Sequence, residues 1–285
     1  MAKQLNQEVA DALGSGIRKS RPLSGGCIGE VYHAQLEDNR DVVIKVDNGA
    51  KPRLDIEGYM LQYLADHSEL PVPEVLYNSP GLLIMGFIEG DSHFGGGAEQ
   101  HAAELLAALH QVKGPAHGLE KATLIGGLHQ PNPWTESWIT FFGEQRLLYM
   151  AREAVREGSM PKSMLKRMQA FVDRLDEFIQ EPSHPALLHG DVWTTNVLAK
   201  RGRITGFIDP AVYYGHPEIE LAFTTLFSTF GSAFFERYHE LSPIAPGFFE
   251  ERRDIYNLYP LLVHTRLFGS GYLASVERSI SRLGF

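Results

Sequence analysis

The chain carries a single cysteine, Cys27, among 285 residues. An intrachain disulfide framework is therefore excluded, and a reducing compartment is expected. Long apolar runs are also missing. No stretch approaches the ~18 residues needed to cross a bilayer, so no membrane span and no membrane partner are predicted. The opening MAKQLNQEVADAL lacks the apolar segment of a secretory signal, which predicts a cytoplasmic location. Positive charge is in the minority: 26 Lys and Arg against 35 Asp and Glu give a net charge of −9. A nucleic-acid partner would want a basic stripe, so none is expected. The charged fraction, 21%, is ordinary and excludes wholesale disorder, while 44% hydrophobic residues supply a core for one two-lobed unit or two small domains.

What is present falls into two halves. CIGEVYHAQL and DVVIKV are rich in strand formers and flank the turn cluster EDNR, which predicts a hairpin. KPRLDIEGYMLQYLADH spaces its apolar residues as a helix does, with Pro52 at the first helical position. PVPEVLYN and GLLIMGFI read as short strands, and EGDSHFGGG is a glycine-rich break. From Ala98 the spacing turns helical. AEQHAAELLAALHQ comes first. PNPWTESWITFFGEQRLLYMAREAVREG follows, with Asn132 as N-cap and Pro133 at N1. KSMLKRMQAFVDRLDEFIQ is the third, stopped by Pro182. RITGFID is a further strand, and HPEIELAFTTLFSTF and most of the remainder are helical. The expected fold is α+β and bilobal. Residues 1–90 form a β-rich N-lobe with an antiparallel sheet, a glycine loop and one helix; residues 91–285 form a mainly helical C-lobe.

The candidate chemistry comes in order along the chain. In SGGCIGEVY, Gly25 and Gly26 would let backbone N–H groups approach phosphates, although a plain glycine turn reads the same way. Cys27 stands at the expected tip. It either fills a small-residue slot or is a redox-sensitive thiol whose oxidation would distort the loop. In DVVIKV, Val42, Ile44 and Val46 share one face, and Val43 and Lys45 the other. A lysine on a half-buried strand needs a partner unless its face is solvated. Glu57 lies on the apolar face of the next helix with Leu54, Met60 and Leu61. An unpaired carboxylate would be costly there, so Glu57 is the expected partner unless it lies at the helix edge and is solvated. LLHGDVWTTNVL and FIDPA then supply Asp191, Asn196 and Asp209. Two such oxygen donors suit Mg²⁺, which takes few protein ligands beside substrate phosphates, and a separate aspartate can accept a hydroxyl proton. Singly, each reads as a turn or cap residue. In this order, with D-x-x-x-x-N spacing, the five parts form a protein-kinase-like constellation and predict phosphoryl transfer from ATP.

Two departures narrow the class. The arginine of H-R-D is Gly190, so control through a phosphorylated loop is not expected, and the phenylalanine of D-F-G is Pro210, with fixed φ. Little chain separates Asp209 from the helix near Pro217, which leaves no platform for a peptide. A small-molecule kinase of the aminoglycoside-phosphotransferase and choline-kinase type is expected. Within that group, LLHGDVWTTNVLA, FIDPAVYYGHPEIELAF, GLHQPNPWTESWITFFGEQRL and SGGCIGEVYHA resemble the signature segments of the fructosamine kinase (ketosamine kinase) family. The resemblance runs from about Gly16 to the C-terminal helices.

It implies an enzyme that uses ATP and Mg²⁺ to phosphorylate a sugar hydroxyl of a ketosamine, of fructosamine or ribulosamine type. A link to deglycation follows, because the phosphorylated adduct becomes labile. By the same resemblance Asp191 is the base, and Asn196 and Asp209 hold Mg²⁺. Lys45 meets the α/β-phosphates, Glu57 holds Lys45, and Gly86, Phe87 and Ile88 form the hinge beside adenine. Trp193 is expected to touch the sugar, a packed loop anchor being the other reading. Trp134, Trp138 and Phe142, at i, i+4 and i+8, read first as a core stripe. The resemblance adds a substrate-side role for Trp134. His216 and Glu220 are expected as supports of the magnesium strand. The partner is a small-molecule ketosamine or a glycated amine or protein. The oligomeric state stays open, a monomer being sufficient for this fold. An aminoglycoside, choline or homoserine-like kinase of the same fold and a catalytically inactive nucleotide-binding protein are the rival readings.

Overall fold

A computed structural model describes residues 2–23 and 29–285. Helix α1 (Ala2–Leu13) precedes a five-stranded antiparallel sheet. Its strands are β1 (Ile17–Pro22), β2 (Glu30–Leu36), β3 (Asp41–Val46), β4 (Val75–Asn78) and β5 (Leu82–Gly86), in the spatial order β1-β2-β3-β5-β4. Helix α2 (Leu54–His67) connects β3 to β4. Alternation along β3 decides what each face does. Val42 and Ile44 are fully buried with Val9 of α1 and with Leu82 and Ile84 of β5. On the other face Leu83 and Met85 of β5 pack on Leu54 and Leu61 of α2, with Val43 beside them. Lys45 shares that second face, so the strand's period of two aims it at α2.

One helix is expected in this half; the structure has two. α1 reads AKQLNQEVADAL, and its Leu5, Val9, Ala12 and Leu13, at helical spacing, pack on the sheet. Pro52 stands outside α2 and not at its first position. Arg53 is the N-cap, and the Leu54 amide donates to the Pro80 carbonyl at 3.0 Å. A carbonyl from the β4–β5 turn thus sets the start of the helix.

The C-lobe begins with α3 (Gly96–Leu109) and a short hairpin, β6 (Thr123–Ile125) and β7 (Leu128–Gln130). Next come α4 (Trp138–Phe141), a π-helical stretch (Phe142–Leu148), α5 (Tyr149–Arg156) and α6 (Lys162–Val172). Four short strands follow: β8 (Ala186–Leu188), β9 (Val197–Lys200), β10 (Arg203–Phe207) and β11 (Tyr213–Gly215). Helices α7 (Pro217–Leu226), α8 (Ser232–Leu241), α9 (Arg253–Tyr256), α10 (Leu258–Phe268) and α11 (Ser270–Arg282) complete the lobe.

The long helix expected from Asn132 starts later and is broken. Ser137 is its N-cap, accepting from the Thr140 amide at 3.1 Å, while Glu181 accepts from the Trp138 and Ile139 amides at 2.7 and 3.2 Å. Asn132 is buried and gives its side-chain amide to the Lys121 carbonyl and the Thr123 hydroxyl. Trp134 therefore lies outside the helix, 43% exposed, with its ring 6.2 Å from that of Tyr214. Trp138 and Phe142 are buried and stacked at 5.4 Å, so the core stripe holds for these two. The third helix ends at Val172, short of Pro182.

The lobes are joined beside the cleft. Met60 and Leu64 of α2 belong to the C-lobe core. Asp91 and Ala199 exchange backbone hydrogen bonds of 3.0 and 2.8 Å, and the Phe207 amide donates to the Pro71 carbonyl at 2.7 Å. Among the described residues no helix is long and apolar enough to cross a membrane.

Candidate active site

Lys45 of β3 and Glu57 of α2 are both buried, and Lys45 Nζ donates to Glu57 Oε1 at 2.6 Å. The same ammonium pairs with Asp209 Oδ1, across from the C-lobe. Burial works against the Lys45 charge, but the carboxylates of Asp209 and Glu57 outweigh it and hold its pKa above the ordinary value. Burial pushes the Glu57 carboxyl up. Asp209 goes the other way: burial would raise it, and the Lys45 ammonium overrides that and holds it below the usual carboxylate range.

The C-lobe residues are set by two pairs of strands. β8 pairs with β11 and β9 with β10, and the Val197↔Phe207 register puts Asn196 beside the Ile208–Asp209 bend. The Ile208 amide donates to the Asn196 carbonyl at 2.9 Å. Asp209 has φ of +53°, a left-handed backbone that few non-glycine residues adopt. Asn196 donates its side-chain amide to Asp191, 2.9 Å to Oδ2 and 3.0 Å to the carbonyl. Its own Oδ1 is left with a long 3.4 Å contact from the Thr195 hydroxyl. Burial and the Asp209 charge push the Asp191 carboxyl up to about 8, against the Asn196 hydrogen bond.

The loop before Asp191 explains the residue found at position 190. Gly190 has φ of +85°, and a Cβ there would lie 2.1 Å from the Ala211 carbonyl. Any side chain is excluded, the arginine of H-R-D included. The Gly190 amide donates instead to Glu220 Oε1 at 2.6 Å, and His110 Nε2 holds the other oxygen of Glu220 at 2.9 Å. Burial would raise the Glu220 carboxyl, but His110 holds it below its ordinary value. Glu220 thus supports the loop of Asp191 and not the strand of Asp209. His216 caps α7, accepting from the Glu218 amide at 3.0 Å.

Two cavities meet at these residues. A cleft of about 370 Å³ is lined by Val31, Val43, Met85, Leu198 and Ile208, with Gly86, Phe87 and Ile88 at its edge. A smaller cavity of about 110 Å³ is lined by Asp191, Trp193, Met60, Leu124, Gly126 and Gly127. Lys45, Thr195, Asn196 and Asp209 line both. The amides of Gly86 and Phe87 are taken by the carbonyls of Glu74 and Asp41. Trp193 packs its ring 5.3 Å from Phe227 and 6.4 Å from His264. Trp134 does not line the smaller cavity. Gly25, Gly26 and Cys27 lie outside the described residues.

The sequence reading missed Thr195, the Gly126–Gly127 turn and the link from Glu220 to Gly190. The turn had a signal: Gly-Gly between apolar residues in LIGGL is a two-residue hairpin cue. Among the described residues no group of three or more His, Cys, Asp or Glu is arranged to hold a metal. A cation at the junction of the cavities would meet Asn196 Oδ1, an Asp209 oxygen and non-protein oxygens, the donor set that suits Mg²⁺ with phosphates.

The fructosamine kinase family profile matches residues 1–284. A Synechocystis protein named as a probable ketoamine kinase is 33% identical, over 99% of this chain and 95% of its own. A chloroplastic protein-ribulosamine 3-kinase of Arabidopsis thaliana is 31% identical, over 91% of this chain and 80% of its own. A solved Thermobifida fusca protein, provisionally assigned as a fructosamine-3-kinase, superposes with a TM-score of 0.88 at 27% identity, covering 99% of this chain and 98% of that one. A macrolide 2'-phosphotransferase of Brachybacterium faecium superposes at 0.63 with 18% identity, covering 99% of this chain and 97% of that one. At that distance it speaks for the shared kinase-like fold alone.

Proposed function

Because the chain belongs to the fructosamine kinase family, we propose that it transfers the γ-phosphoryl group of ATP to a sugar hydroxyl of a ketosamine. One observation carries the reading. Two cavities meet at Lys45, Asn196 and Asp209, and Asp191 lines the smaller one alone. The larger, apolar cleft suits adenine and ribose, and the Ile88 amide finds no acceptor among the described residues and is free to meet the base. The smaller cavity, about 110 Å³, is below the ~150 Å³ that encloses one benzene ring. It fits the part of a sugar around the reacting hydroxyl and leaves the rest of the acceptor outside.

The roles follow from position. Lys45, steadied by Glu57, meets the phosphates at the junction. Asp191, whose second oxygen is oriented by Asn196, faces the acceptor side and takes the hydroxyl proton as the new P–O bond forms and the bond from the γ-phosphorus to departing ADP breaks. Asn196 Oδ1 and Asp209 would hold Mg²⁺, which when bound would supply charge neutralisation for the phosphates. Positive charge at that point also favours the Asp191 carboxylate, offsetting the burial that raises it. Trp193 walls the sugar. No chain is available for a peptide platform: from Asp209 to α7 there are seven residues, Pro210–His216, and Pro210 to Gly215 are buried.

The test is ATP consumption with a panel of ribulosamine, fructosamine, aminoglycoside and choline acceptors, with the phosphorylated product identified by mass spectrometry. Turnover on the ketosamines that is lost in Asp191→Asn is expected. Turnover on an aminoglycoside or choline alone, or ATP binding without any acceptor-dependent turnover, would refute the reading.

A further inference from the structure

The β6–β7 hairpin has three residues a side, too few to stand alone. Ile125 pairs with Leu128, and the two turn residues, Gly126 and Gly127, have φ of +53° and +83°. This is the twist-matched turn that demands left-handed backbone at both central positions. Its central peptide takes no part in the ladder. The turn therefore offers the acceptor cavity bare backbone, with N–H and C=O groups able to meet hydroxyls and no side chain to fill the space.

Something must hold so small a hairpin against Asp191. Its feet are Thr123 and Gln130, register partners and both fully buried. Gln130 donates to the Thr123 hydroxyl at 2.8 Å and to the Ala211 carbonyl at 3.0 Å, and Thr123 donates to the Val212 carbonyl at 3.3 Å. Ala211 and Val212 follow directly on Asp209 and Pro210, so one network ties the hairpin to the catalytic strand end. Asn132 joins it, donating to Thr123 at 2.8 Å and accepting from Arg146 Nη2 at 2.6 Å. Arg146 also donates to the Pro131 carbonyl at 2.8 Å.

Arg146 is unusual. It is fully buried, and among the described residues no carboxylate lies within ion-pair reach. Its guanidinium lies over the rings of Tyr213 and Phe141 at 4.0 and 4.5 Å. A buried cation without a counter-charge is costly, and an apolar residue would pack the same space more cheaply. What only the guanidinium supplies is its fork, spent here on the segment leading out of β7. It projects from the π-helical stretch, a distortion frequent at functional sites.

Resting on the ketosamine reading above, we propose that the Gly126–Gly127 turn is the wall that selects the acceptor, and that Arg146 is the positioning residue that keeps this wall in register with Asp191. The test uses Gly126→Asn and Gly127→Asn, which keep left-handed backbone accessible while adding a side chain, and Arg146→Met, which keeps bulk and removes the fork. KM for a ketosamine and for ATP are measured with melting temperature. The expected result is a rise in acceptor KM of about tenfold or more in all three, with ATP KM within about twofold. Melting temperatures of the glycine variants stay near native. Unchanged acceptor KM in both glycine variants would overturn the wall. Equal rises of both KM values in Arg146→Met would reduce Arg146 to a general structural part and overturn its positioning role. A native enzyme silent on ketosamines would remove the substrate reading and this proposal together, whereas an active native enzyme with unmoved variants removes this proposal alone.

Discussion

The larger cleft, about 370 Å³, is walled by strands, and the smaller cavity, about 110 Å³, by a two-residue turn, a loop tryptophan and a helix methionine. In the first, Val31, Val43 and Met85 are placed by sheet alternation, and each is fixed by its neighbours' ladder. In the second, the wall is placed by side-chain hydrogen bonds that reach from α4's π-helical extension to the strand after Asp209. Regular secondary structure builds the side proposed for the nucleotide. A tertiary network builds the side proposed to choose the substrate.

The comparison is broken most sharply at the residue that faces only the acceptor. Asp191→Asn should lower turnover by about 10²–10⁴-fold, and ATP binding by calorimetry should persist. Loss of ATP affinity in that variant would show that the two sides are not separable. Lys45→Met attacks the shared junction from the other direction, leaving Glu57 and Asp209 without their cation. ATP affinity should fall by roughly tenfold or more, measured by titration, with a smaller loss in Glu57→Gln, where Asp209 still holds the lysine. Trp193→Ala should raise acceptor KM by about tenfold and leave ATP KM unmoved, since stacking is lost on one side only.

The smallest effect belongs to a group that lines neither cavity. Burial, with Arg252 nearby, lowers His216 to about 3, and burial lowers His117 to about 4. Both take a proton near pH 6.5 once unfolded. Between those values unfolding takes up protons, so the stability they confer is whole above about pH 6.5 and is lost as pH falls. His216→Asn preserves an N-cap acceptor on α7. It should reduce the loss of unfolding free energy between pH 7 and 5, by roughly 1–2 kcal/mol at pH 5, measured by denaturant titration. An unchanged pH profile would show that His216 is already protonated or already open.

Lys45, Glu57, Asp191, Asn196 and Asp209 were legible because each announces itself over a few residues: a lysine on a β-branched strand, a glutamate on an apolar helix face, a fixed spacing of aspartate and asparagine. The change of period near Ala98 matches the start of α3 at Gly96. Other elements were missed. α1 did carry a signal, Leu5, Val9, Ala12 and Leu13 at i, i+4, i+7 and i+8, that the reading passed over, whereas β6 and β7 are below the length at which alternation means anything. Asn132 before Pro133 has the local signature of a helix start, but its partners, Thr123 and Arg146, lie nine and fourteen residues away, and tertiary bonding overrode the cap. Trp134 moved with it, from a helical stripe to the surface. Arg146 was not singled out, since nothing local marks a cation for burial.

Gly190 has an evolutionary consequence. With the Ala211 carbonyl 2.1 Å from where a Cβ would stand, no single substitution can install a phosphate-reading arginine at this position. The path to signal-controlled catalysis runs first through a rebuilt backbone after Asp209, and each intermediate on it sacrifices the loop that works. While that backbone stands, control through an arginine at this position is closed to the enzyme.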